Sequence, residues 1–154
     1  GPMSNAAAIK DIQEVVDDAV GEGARVVTGG KAMDGEGHFF APTVLADVPK
    51  SSRMLIEEIF GPVAPIVTFK TEDEAIEMAN DTEYGLVSYI YTSDLARGLR
   101  VSEALDAGMI ALNRGLVSDP AAPFGGTKQS GLGREGSHCG IHEIMEVKYI
   151  ATDW

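Results

Sequence analysis

Apolar residues near the start of the chain, Ile9, Ile12, Val15, Val16, Ala19 and Val20, recur at steps of three and four, the spacing that lines one face of a helix. The pattern predicts an amphipathic helix over residues 6–20, ended by Gly21 and Gly23. Residues 25–28 form a short β-branched run stopped by Gly29-Gly30, and residues 39–45 a second extended stretch that Pro42 demotes to a sheet edge. Residues 64–69 read as a buried strand. Thr71, with Glu74 three positions on, is a capping box that opens a helix through Asn80. Residues 87–91 return to strand. Ser93 then caps a helix to about residue 105, with Leu95, Leu99, Val101 and Leu105 on its inner face, and residues 109–112 are a further strand. Alternating strands and helices predict an α/β fold, a mostly parallel sheet with covering helices and ligand sites at the C-terminal ends of its strands. Gly-rich residues 113–140 read as a long functional loop with a short helix, and residues 146–152 as a final strand.

Size and charge narrow the function classes. The 154 residues, 44% hydrophobic and 23% charged, suffice for a globular domain with a sizeable core. A formal charge of -12 repels phosphate backbones and anionic lipid, so neither nucleic acid nor a membrane is an expected partner. The single cysteine, Cys139, cannot close an intrachain disulfide, and no apolar run of spanning length or basic-then-apolar leader is read. A reducing, cytoplasmic setting is the expectation.

Two long motifs carry candidate chemistry. In the first, Glu57-Glu58-Ile59-Phe60-Gly61-Pro62, a carboxylate stands two residues before an aromatic ring on a segment fixed by Gly-Pro. Such a carboxylate can accept hydrogen bonds from vicinal ribose hydroxyls, and the ring offers a face to a flat heterocycle. On the two residues alone, a solvated helix-end Glu58 and a core-anchoring Phe60 is the favoured reading, and the full motif reverses that order. The second motif, Pro123-Phe124-Gly125-Gly126-Thr127-Lys128-Gln129-Ser130-Gly131-Leu132-Gly133-Arg134-Glu135, follows a loop in which Ser118 could donate to an anionic group or could simply cap Asp119-Pro120.

In order and spacing, both motifs resemble the C-terminal signatures of the aldehyde dehydrogenase superfamily. The resemblance covers nearly the whole chain, and in Gly115-Leu116-Val117-Ser118 and the tail it is similar to the succinate-semialdehyde dehydrogenase branch. It implies that Glu58 and Phe60 bind the nicotinamide riboside of NAD or NADP. It further implies that Ser118 holds the distal carboxylate of a small aldehyde substrate and that Phe124 is an aromatic wall of the same tunnel. The family's nucleophilic cysteine, general-base glutamate and dinucleotide fold lie upstream of the matched region, so no catalytic residue is expected here and the chain alone is expected to be inactive. The implied organisation is a partial catalytic domain over residues 1–145 and a C-terminal oligomerisation strand over residues 146–154, serving a homo-oligomer. The alternatives are an aldehyde dehydrogenase for another polar or carboxylated aldehyde, such as glutarate semialdehyde, and a non-catalytic assembly module.

Other patterns are set aside. Residues 131–136 satisfy Gly-x-Gly-x-x-Gly, but no strand leads into them and no βαβ unit fits before residue 154, so the dinucleotide fingerprint is rejected. The resemblance implies instead a structural turn near subunit contacts, with Arg134 an ion-pairing residue rather than an anion ligand. Cys139 follows both motifs, where the family does not carry its nucleophile. His138, Cys139 and His142 lack a full ligand set, and no metal site is expected. Glu72, Asp73, Glu74 and Glu77 read as a solvated helix face whose first-turn acids meet the positive end of the helix dipole.

Overall fold

The computed structural model describes residues 1–153. The chain divides into two compact units, the first Gly1–Phe69 and the second from Lys70 onward.

The first unit opens with helix α1, Ala6–Gly21, capped by Asn5, whose side chain accepts from the Ala8 N–H at 2.9 Å. Its predicted face is the buried one: Ile12, Val16 and Ala19 enter a core with Ala24, Phe40, Leu45, Val48 and Met54, while Ile9 and Val15 pack at its margin. Val20, at the end of the stripe, is exposed. Strands β1 (Arg25–Thr28), β2 (Thr43–Ala46) and β3 (Val63–Pro65) form one sheet in the order β1-β2-β3. Pairing is antiparallel between β1 and β2 and parallel between β2 and β3. Pro42 therefore does not make an edge. It stands one residue ahead of β2, where its missing N–H breaks no ladder bond, and β2 is the central strand. The expected strand over 64–69 is also shorter, ending at Pro65 and leaving Phe69 exposed.

In the second unit, Thr71 caps helix α2, Glu72–Asn80, by accepting from the Glu74 N–H at 3.2 Å. The Glu74 carboxylate reaches back to the Lys70 N–H at 2.7 Å, one residue outside the usual capping-box partner. Strands β4 (Tyr84–Gly85) and β5 (Val87–Ile90) precede helix α3, Leu95–Ala104, and strand β6, Met109–Leu112. β5 and β6 pair in parallel from Val87↔Met109 to Ile90↔Leu112, with α3 as their crossover. Asp94 caps α3 in place of Ser93, because its carboxylate accepts from the Arg97 N–H at 3.0 Å. The inner face of α3 also differs from the leucine pattern. Gly98 is buried against β6, where a Cβ would stand 2.9 Å from Leu112 Cδ1, while Leu95 and Leu99 face outward.

Strand β7, Thr127–Lys128, pairs antiparallel with β4, and Cys139–His142 form a one-turn helix, α4. The expected mostly parallel sheet is thus replaced by three small sheets, two of whose four pairings are antiparallel. Strands of two to four residues offer too few ladder positions to recruit one another into a single sheet. Residues 146–153 form no strand among the described residues, since a strand needs a partner's hydrogen bonds and none is supplied there. Trp154, the last residue of that expected segment, lies outside the described residues.

Glu72 is not the solvated acid expected. Arg100 Nε binds its carboxylate at 2.6 Å and Arg97 Nε at 3.2 Å, tying α2 to α3. The Arg100 hydrogen bond is the main reason that the Glu72 carboxyl is held below its ordinary value of 4.5. The Arg97 N–H similarly holds Asp94 below 3.8. Because both groups bind protons more weakly when folded, their contribution is present above the ordinary carboxylate values and is lost as pH falls through the lowered ones. Thermal melts followed by circular dichroism are expected to show stability falling as pH drops below about 4.5, and Glu72→Gln is expected to flatten that decline. In the first unit, Leu45→Ala should cost about 2–5 kcal/mol by leaving a cavity in the core. Ser52→Ala should be neutral or stabilising in denaturant titration, because the buried Ser52 hydroxyl has no hydrogen-bond partner.

Candidate functional site

The segment carrying Glu58 and Phe60 leaves a 3-10 turn at Arg53–Leu55 and enters β3 through Gly61-Pro62. Two contacts fix it. The Pro62 carbonyl accepts from the Thr43 N–H at 2.8 Å, and a Cβ on Gly61 would lie 2.6 Å from Ile12 Cδ1, so the chain rests directly on α1. Ile59 is the residue of this run that packs at the core margin. Phe60 is 77% exposed, which rules out the core-anchor reading. With Asp11, Val15, Arg53 and Glu57, Glu58 and Phe60 line a groove of about 330 Å³ beside α1.

Neighbouring carboxylates in this groove are treated differently. Arg53 is bound by Glu57 at 2.7 Å and by Asp18 at 3.0 Å, bonds that hold its guanidinium still more firmly charged. Glu58 makes no hydrogen bond or ion pair among the described residues, so its oxygens are available to hydroxyl donors. The Glu58 side chain is solvated, which leaves the acceptor free.

The second candidate region leaves the C-terminal end of β6, where ligands gather in parallel α/β pairs. Asn113 makes the exit. At φ 53 its side chain accepts from the Thr92 N–H at 2.9 Å and donates to the Thr92 carbonyl at 2.8 Å, locking the base of the loop to the chain leaving β5. Sequence reasoning missed this role, although asparagine tolerates the left-handed region better than most residues. Ser118 is exposed and its hydroxyl has no partner among the described residues. The capping reading of Ser118 is not met: it is Asp119 whose side chain accepts, from the Ala121 N–H at 2.9 Å. Phe124 is half-buried and exchanges two backbone hydrogen bonds with Glu135, both at 2.8 Å.

Arg134 forms no ion pair among the described residues, contrary to expectation. Its Nη1 donates to the carbonyls of Gly126 at 2.7 Å, Gly133 at 2.9 Å and Leu132 at 3.1 Å, since the surrounding glycines expose backbone oxygens where side chains would otherwise stand. Nearby, Gly108 crosses the loop so closely that a Cβ there would strike the Gly125 carbonyl, and a Cβ on Gly126 would approach the Gly85 carbonyl to 3.0 Å. Lys128 secures the other flank, its Nζ donating to the carbonyls of Asn80 and Thr82 at 2.9 and 3.1 Å and pairing with Asp106 at 3.0 Å. Cys139 lies in α4, its Sγ 3.8 Å from His138 Nε2. Glu58 and Phe60 thus share one groove of the first unit, and Ser118 and Phe124 one loop of the second.

Comparison with known proteins bears on both regions. The family model described as the aldehyde dehydrogenase family matches residues 1–150. A glutarate-semialdehyde dehydrogenase of Pseudomonas putida is 53% identical over 150 residues, covering 97% of this chain and 31% of that protein. A succinate-semialdehyde dehydrogenase of Paenarthrobacter nicotinovorans is 54% identical over 150 residues, covering 97% of this chain and 33% of its own length. Among solved structures, an NADP-dependent enzyme of E. coli matches with a TM-score of 0.94 at 50% identity, over 97% of this chain and 31% of that one. The chain spans about a third of the length of the relatives it matches.

Proposed function

The chain belongs to the aldehyde dehydrogenase family, and on that premise we propose that it forms part of an NAD(P)-dependent enzyme oxidising a short aldehyde with a distal carboxylate, succinate semialdehyde by preference. The observation that carries the substrate reading is Ser118, an exposed hydroxyl with no internal partner on a loop leaving the C-terminal end of β6. A free hydroxyl can donate a charge-assisted hydrogen bond to a carboxylate. Arg114, exposed and without an acidic partner among the described residues, adds positive charge to the same loop. The names of the glutarate- and succinate-semialdehyde relatives support the same substrate class. Phe124 serves as an apolar wall.

Glu58 and Phe60 suit a nicotinamide riboside in this reading. The carboxylate is free to accept from two vicinal hydroxyls, and the exposed ring offers a face to the heterocycle. The dinucleotide, when bound, accepts the hydride as the aldehyde is oxidised to a carboxylate. This chain contributes binding and orientation rather than the covalent step, and alone it is inactive. Its sole cysteine, Cys139, stands beyond Arg134 on α4 rather than at either candidate region. A cytoplasmic, reducing setting belongs to the same reading, and no helix among the described residues is long and apolar enough to cross a membrane.

Assembly through the C-terminal segment is the second part of the proposal. Val147 is fully exposed and Tyr149 is 87% exposed, and no strand among the described residues covers them, which favours pairing with a neighbouring subunit.

In the intact enzyme, Ser118→Ala is expected to lower the ratio of kcat/KM for succinate semialdehyde over butanal about tenfold, the worth of one charge-assisted hydrogen bond. An equal loss for both aldehydes would remove Ser118 from carboxylate recognition, and a wild-type enzyme indifferent to the carboxylate, or preferring glutarate semialdehyde, would remove the substrate assignment. For assembly, sedimentation should show association that disappears when residues 146–154 are deleted. A monomer in both forms counts against the strand.

A further inference from the structure

The Ser118 hydroxyl makes no hydrogen bond of its own, so its place is set by whatever holds the backbone around it. Beyond the Asn113–Thr92 pair at the base of the loop and the Asp119–Ala121 turn beside Ser118, three ties come from the run 134–137. The Ser137 N–H donates to the Pro120 carbonyl at 3.0 Å, Phe124 and Glu135 exchange their paired 2.8 Å bonds, and Arg134 Nη1 binds the Gly126 carbonyl at 2.7 Å. Ser137 adopts φ 49 to make its contact, and a Cβ on neighbouring Gly136 would stand 3.0 Å from the Ala122 carbonyl, so the two strands of backbone lie against each other with no room between them. The substrate loop is strapped down rather than packed down.

Of the three ties, only one is made by a side chain. Glycines at 125, 126, 131 and 133 leave nothing apolar to bury, and exposed carbonyls are the anchors that remain. A guanidinium meets them well: it is planar, permanently charged and carries only donors, and here one nitrogen reaches carbonyls on both sides of the turn, Gly126 on one and Leu132 with Gly133 on the other. No carboxylate competes for it among the described residues.

We infer that Arg134 is a positioning residue for substrate selection: by clasping the carbonyls of Gly126, Leu132 and Gly133 it closes the Phe124–Glu135 bridge and so fixes the loop that presents Ser118 to the substrate carboxylate. The inference rests on the substrate reading proposed above. Arg134 touches neither substrate nor cofactor, and its effect reaches the reaction through the loop.

Two measurements on the intact enzyme test it, using Arg134→Lys, which keeps a charged donor nitrogen but ends short of the Nη1 position, and Arg134→Met, which keeps an apolar stem without the donors. Hydrogen exchange at the Phe124 and Glu135 amides is expected to quicken about tenfold or more in Arg134→Met, and less in Arg134→Lys, while the amides of β6 keep their wild-type rates and report an intact fold. The ratio of kcat/KM for succinate semialdehyde over butanal is expected to fall by about tenfold in Arg134→Met, carried by KM rather than kcat, with partial rescue by lysine. Unchanged exchange at Phe124 and Glu135 overturns the clasp. Faster exchange with an unaltered ratio overturns its link to substrate choice. A wild-type enzyme that treats the two aldehydes alike overturns the substrate reading and this inference with it, and that failure is recognised before any substitution is made.

Discussion

Helix α3 can carry the chain from β5 to β6 only because it sits very close to the strand it returns to, and Gly98 is what permits that approach. A side chain at this position would collide with both terminal carbons of Leu112. Parallel strands need a crossover, and α3 supplies it for β5 and β6, which pair over four residues. Asn113 is the next residue after the last pair, so the direction in which the loop departs follows from the seat of the helix. The left-handed backbone at Asn113 and its two hydrogen bonds to Thr92 complete that direction.

Charge is distributed with similar economy. In a chain of net charge -12, arginines are scarce, and most have a fixed occupation. Arg53 joins α1 to the turn before Glu58, Arg97 and Arg100 join the second unit's first two helices through Glu72, and Arg134 serves carbonyls. Committing Arg53 to Glu57 and Asp18 is what leaves the adjacent Glu58 without a cation. A carboxylate left free in this way keeps its lone pairs for neutral donors such as sugar hydroxyls. Glu58 and Glu57 are neighbours in sequence with opposite local circumstances.

Elements whose cause is local could be read from the residues: the stripe of α1, the Thr71 cap, and the strands β5 and β6. Features decided by partners could not. Period and composition describe an element's own face, whereas the central place of β2 and the division into small sheets depend on which edges meet. Leu95 and Leu99 were misread for the same reason, since the pattern marks an apolar stripe but cannot tell that a buried glycine beside it makes the contact. Ser93 and Asp94 are both good caps, and only geometry chose between them. In the candidate regions, the motifs nominated Glu58, Phe60, Ser118 and Phe124, while the hydrogen bonds of Asn113 and Arg134 stayed hidden because they are made to backbone atoms that every sequence contains. The exposure of Phe60 was likewise invisible, as an aromatic before Gly-Pro serves equally well inside a core.

Where the turn before β6 crosses the loop after Phe124, Gly108 lies against Gly125, and Gly126 against the backbone at Gly85. Each glycine is there because the opposing main chain occupies the space a methyl group would need. The obstacles differ from one glycine to the next: a Cβ on Gly125 would meet the Gly133 carbonyl and Arg134, and one on Gly85 would meet Thr127 and the Asp106 carbonyl, so no single exchange relieves the others. The crossing is therefore closed to any residue larger than glycine, whereas Leu116 and Ser118, exposed on the preceding loop, meet no such obstacle.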